Sequence, residues 1–181
     1  MKIEVSFGFA ALLCFMAWVD MPLALNFLCG AIFHELGHLG ALLGFRIPVQ
    51  GIRIHSCGAV IRTSFTDYWK EFLCAAAGPL SSLLLGFATM NDFPQLAVIS
   101  FFLGAINLFP IYPMDGGRML RSILLMHFTL QKTDRIMQIS CFVFACLLML
   151  LTCWSSVEMQ VGIWPIFLML FFLLRIQWHE K

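Results

Sequence analysis

The stretch Asn26-Phe27-Leu28-Cys29-Gly30-Ala31-Ile32-Phe33-His34-Glu35-Leu36-Gly37-His38-Leu39-Gly40 decides how this chain is read. It lies inside an apolar run from Pro22 to Phe45. That run exceeds the roughly 20 residues a membrane-spanning helix needs. Ionisable side chains inside such a span are costly and mark function. His34 and His38 are four residues apart, so a helix places both imidazoles on one face, within reach of a single Zn²⁺. Glu35 lies between them and can take a proton from the attacking water that zinc acidifies. Random placement would give this H-E-x-x-H pattern in roughly 0.4% of chains of this composition.

Outward from this segment, 61% of the 181 residues are hydrophobic and only 12% are charged. A soluble domain carries about 25% charge, so a soluble single core and a disordered chain are both excluded. The net charge of +1 and the lack of a basic run exclude nucleic acid as a partner. The lipid bilayer is the expected surrounding. Apolar stretches suggest about six spans: Ile3–Val19, Pro22–Phe45, Phe72–Met90, Pro94–Tyr112, Ile136–Cys153 and Val161–Leu174. Asp20 with Pro22 separates the first two, as a polar stop followed by a residue suited to a first helical turn.

All Lys and Arg residues fall in four places: Lys2, the segment between spans two and three, the segment between spans four and five, and the C-terminus after span six. The other three connections hold Asp20, Asp92 and Glu158. The positive-inside rule puts both termini and the two longer loops in the cytoplasm. His34 then lies about 16 Å from the cytoplasmic edge, at 1.5 Å per residue. A cleaved signal peptide at the N-terminus is disfavoured, because Lys2 is a thin basic region and no A-x-A site follows. The expectation is one domain over residues 1–181. The seven Cys residues read as small apolar residues rather than a disulfide framework.

The second constellation is Asn107-Leu108-Phe109-Pro110-Ile111-Tyr112-Pro113-Met114-Asp115-Gly116-Gly117-Arg118. Pro110 and Pro113 remove backbone donors, and Gly116 and Gly117 permit unusual backbone angles, so the fourth span should break here. Asp115 in that break is the expected third zinc ligand, leaving a fourth position for water. A smaller patch, Ala75-Ala76-Ala77-Gly78-Pro79 with Ser81-Ser82, reads as close packing against the motif helix. Between spans two and three, the alternation Ile52-Arg53-Ile54-His55, the turn Ser56-Cys57-Gly58 and the stretch around Val60 read as a short cytoplasmic β-hairpin. Such a hairpin either offers an edge to an extended substrate or simply covers the site. His127 reads as an interfacial histidine, and Asn26 as an interhelical hydrogen-bonding group.

H-E-L-G-H at His34–His38, Ala77-Gly78-Pro79, and N-x-x-P-x-x-P-x-D-G-G from Asn107 to Gly117 resemble the site-2 protease family of intramembrane zinc metalloproteases. The spacing is most similar to the stage IV sporulation protein FB branch. The resemblance covers essentially the whole chain. It implies an all-α polytopic fold, zinc on His34, His38 and Asp115, Glu35 as catalytic base, and Asn107 holding the substrate or its oxyanion. It also implies a bacterial cell-membrane location and a membrane-protein substrate cut in or beside a transmembrane segment. The branch suggests a membrane-tethered transcription-factor precursor, and an inhibitory membrane partner is an allowed regulator. Branch members commonly carry a C-terminal nucleotide-sensing domain, whereas this sequence ends just after the sixth apolar stretch. Two rival readings are an ion transporter and a catalytically dead scaffold. A transporter would string polar groups through several spans and both leaflets, whereas here they cluster at one depth. A dead copy would have no need of Glu35.

Overall fold

The computed structural model describes residues 3–5, 7–47, 49–55, 58–63, 67–112 and 114–158. Six helices lie among them: α1 (Phe7–Val19), α2 (Met21–Gly44), α3 (Tyr68–Thr89), α4 (Pro94–Asn107), α5 (Asp115–His127) and α6 (Leu130–Glu158). Three strands accompany them: β1 (Ile3–Val5), β2 (Val49–His55) and β3 (Gly58–Thr63). β1 pairs parallel to β2, and β2 pairs antiparallel to β3 with Ile52 opposite Ile61.

The expected span Ile3–Val19 is therefore divided. The alternating Ile3-Glu4-Val5 segment is a strand, which leaves a 13-residue α1. Among the described residues, two helices are long and apolar enough to cross a membrane, α2 and α3. α4 is shorter, at 14 residues. The stretch Ile136–Cys153 lies within α6, and Val161–Leu174 falls outside the described residues.

α2 starts where the sequence marks it. Asp20 caps it by accepting from the Leu23 amide at 3.1 Å, and Pro22 occupies the first turn. It ends in a reversal. Arg46 takes φ 55°, its amide donates to the Leu43 carbonyl at 3.0 Å, and the Ile47 amide donates to Leu42 at 2.9 Å.

α3 is the hub, packed against α2, α4 and α5. Its buried positions are Cys74, Ala75, Gly78, Pro79, Ser82 and Gly86, all compact residues. The bulky apolar side chains point the other way: Leu80, Leu84 and Phe87 on α3, Phe102 on α4 and Phe142 on α6 are exposed. Small residues inside and large apolar residues outside suit helices that meet lipid, where close van der Waals approach rather than water exclusion holds neighbours together.

α2 and α3 approach closely at Gly37. A Cβ there would overlap Ser81 Oγ and come within 2.5 Å of the Ala77 carbonyl oxygen. Three residues on, a Cβ at Gly40 would meet nothing within 4 Å. Gly37→Ala should therefore lower the melting temperature of the detergent-solubilised protein by several degrees, whereas Gly40→Ala should not lower it. Equal effects of the two substitutions would contradict this packing.

Candidate metal centre

Two helices and one helix start build the site. α2 presents His34 and His38 one turn apart, and α5 presents Asp115 at its first residue. All three are buried, with 5%, 6% and 7% of their surface exposed. Asp115 Oδ2 lies 3.0 Å from His34 Nε2 and 3.1 Å from His38 Nε2, and the two Nε2 atoms are 3.3 Å apart. The far nitrogens face α3: His34 Nδ1 is 2.9 Å from Ser82 Oγ, and His38 Nδ1 is 2.7 Å from the Cys74 carbonyl oxygen.

The chemistry of these contacts tests whether a metal fits. A carbonyl oxygen only accepts, so His38 Nδ1 carries the hydrogen and donates it to Cys74. In a neutral ring, Nε2 then bears a lone pair directed at a carboxylate oxygen and at the other imidazole. Two imidazole Nε2 atoms and a carboxylate oxygen converge in a buried space, a set of atoms suited to a cation. Zinc bonds of about 2.0–2.1 Å in tetrahedral geometry separate neighbouring ligand atoms by about 3.3 Å, close to what is seen. The set fits zinc, which His34, His38 and Asp115 would hold.

Asp115 owes its position to the break before it. α4 stops at Asn107, and the chain runs through a tight irregular segment to α5. The glycines serve this segment differently from the sequence expectation. Neither Gly116 nor Gly117 takes a positive φ. Both lie in the first turn of α5, where a Cβ on Gly116 would overlap the Leu108 carbonyl and one on Gly117 would reach Ile111 and Tyr112 backbone atoms at 2.6 Å. They are required for close approach of backbone to backbone. Arg118 Nη1, 3.4 Å from Asp115 Oδ1, faces the second carboxylate oxygen and leaves Oδ2 to the histidines.

The other expected site residues are placed as follows. Glu35 is half-buried on α2, next to His34. Asn107 is the last residue of α4, and its amide donates to the Leu103 carbonyl one turn back at 2.9 Å. No described hydrogen bond joins Asn107 to the three ligand residues. His127 is exposed, with Nδ1 3.0 Å from the Ile123 carbonyl. Asn26 Nδ2 donates to Gln95 Oε1 of α4 at 3.3 Å.

Three contacts were not assigned from the sequence: Ser82 to His34, the Cys74 carbonyl to His38, and Arg118 to Asp115. One signal was available. Cys74, Gly78 and Ser82 recur every four residues, so they share one face of α3.

The irregular segment and Asp115 fall within a match to the model of peptidase family M50, over residues 88–151. The chain is similar to zinc metalloprotease MJ0392 of Methanocaldococcus jannaschii, 30% identical over 118 residues, which is 58% of this chain and 35% of that protein. It is also similar to stage IV sporulation protein FB of Bacillus subtilis, 25% identical over 154 residues, 77% of this chain and 52% of that one. The structure superposes on the site-2 protease from Methanocaldococcus jannaschii with a TM-score of 0.70 at 22% identity, covering 99% of this chain and 90% of that one. The chain shares the fold of that site-2 protease. The chain spans about a third to a half of the length of those two curated proteins. The M50 match does not reach His34 and His38, which the tertiary structure brings to Asp115.

Gly78 lets the set form. A Cβ at Gly78 would overlap the His38 ring and lie 2.8 Å from His34 Nε2. Gly78→Ala should therefore reduce the zinc content of the purified protein from near one equivalent to a small fraction, as read by atomic emission. Full zinc occupancy in this variant would show that the rings lie elsewhere.

Proposed function

We propose that this chain is an intramembrane zinc metalloprotease that hydrolyses a peptide bond within or next to a transmembrane segment of another protein. The supporting observation is the convergence of two His Nε2 atoms and Asp115 Oδ2 within 3.3 Å, with Glu35 adjacent on an apolar helix. When bound, zinc polarises the scissile carbonyl and acidifies the attacking water. Glu35 accepts the proton of that water and delivers it to the leaving amine. Asn107, at the end of α4, turns its amide from the Leu103 carbonyl to the substrate or its developing oxyanion. The substrate helix must unwind near the site, because its own hydrogen bonds cover the backbone that is attacked.

In this reading residues 1–181 are one protease domain in a bacterial cell membrane, with about six spans and both termini cytoplasmic. The distribution of Lys and Arg supports that orientation. The β2–β3 hairpin then lies on the cytoplasmic side. The resemblance to the sporulation branch favours regulated proteolysis of a membrane-tethered transcription-factor precursor, held in check by an inhibitory membrane partner.

Co-expression with tagged single-span substrates tests the reading. Glu35→Gln should retain zinc and lose cleavage by about 10²–10⁴-fold, the usual contribution of a general base. Undiminished cleavage by Glu35→Gln, or a purified protein that takes up no zinc, would overturn it.

A further inference from the structure

We propose that Ser82 is a positioning residue for the metal centre, setting the tautomer and ring plane of His34. This inference rests on the metal-site reading above. The two histidines are held in different ways. His38 Nδ1 donates to a main-chain carbonyl, that of Cys74, which no side-chain substitution removes. His34 Nδ1 faces only a hydroxyl, Ser82 Oγ, at 2.9 Å.

Ser82 has 0% of its surface exposed, so its oxygen is shielded from solvent. A hydroxyl can accept or donate, and the metal decides between these roles. For His34 to offer the Nε2 lone pair, its hydrogen must sit on Nδ1, and Ser82 must accept it. Ligand histidines depend on such partners, and losing one costs about 10–100-fold in metal affinity or activity. The neighbouring Ser81 has another task. Its hydroxyl lies 2.7 Å from the Gly78 carbonyl, 3.0 Å from that of Phe33 and 3.5 Å from the main-chain carbonyl of His34, tying α3 to the backbone of α2 without meeting a ligand side chain.

The full chain in detergent micelles would be titrated with zinc against a competing chelator, for wild type, Ser82→Ala, Ser82→Thr and Ser81→Ala. Melting temperatures of the metal-free proteins would be recorded alongside, with visible absorption of the Co²⁺-loaded forms. Ser82→Ala should weaken zinc binding by about 10–100-fold and change the Co²⁺ spectrum while the metal-free melting temperature holds. Ser82→Thr, which keeps the hydroxyl, should recover most of the affinity. Ser81→Ala should lower the melting temperature with little effect on affinity.

Zinc affinity and a Co²⁺ spectrum in Ser82→Ala equal to wild type would overturn the inference. So would an equal loss of affinity in Ser81→Ala, or a loss in Ser82→Thr as large as in Ser82→Ala when the Thr variant melts normally. Failure of the wild type to bind zinc would overturn both this inference and the protease reading. Weakened binding in Ser82→Ala, together with undiminished cleavage by Glu35→Gln, would leave the positioning role standing and remove the protease.

Discussion

Three potential metal-ligand atoms held together in a buried space are the constraint on which the rest of this structure depends. His34 Nε2, His38 Nε2 and Asp115 Oδ2 lie 3.0–3.3 Å from one another, and water is largely excluded from them. With a lone pair on each of these atoms the arrangement would be unfavourable until a cation bound them, and zinc binding would then add to the stability of the fold. The scaffold must therefore impose the arrangement through packing and backbone geometry.

It does so by making the interior from the smallest residues. α3 turns Cys74, Gly78 and Ser82 toward the histidines. Each contributes something different: a carbonyl, an empty space and a hydroxyl. The larger apolar residues lie on the outer surface, which suits a lipid surrounding and leaves α2 and α3 free to approach at Gly37. The same closeness that permits ligand geometry also leaves no room for side chains to adjust, so a single added methyl group at Gly78 reaches the rings.

The carboxylate arrives by a different route. A continuous α4 would carry the chain past the site. The stop at Asn107 and the restart at Asp115 place the acid at the head of a new helix, where the amide ends of α5 favour negative charge. Gly116 and Gly117 allow the preceding segment to fold back onto that first turn. Arg118 occupies the second carboxylate oxygen, so one oxygen faces the histidines.

The sequence by itself determined the parts that follow from local pattern. His34 and His38 share a face because a helix repeats every 3.6 residues, and Asp115 stands out as an acid among prolines and glycines. The cap at Asp20 and the break after Asn107 were legible for the same reason. The tertiary structure decided whatever depends on partners distant in the chain. Ser82 is 48 residues from His34, and although its four-residue spacing from Gly78 places it on one face of α3, nothing local says that this face meets the histidine. No helix is expected from the sequence between the fourth and fifth spans, where α5 runs from Asp115 to His127 and packs against α3. Ile3–Val5 looks like the start of an apolar span until β2 is present to pair with it. Hydropathy records how apolar a segment is. Which backbone or hydroxyl it meets depends on how the helices are brought together.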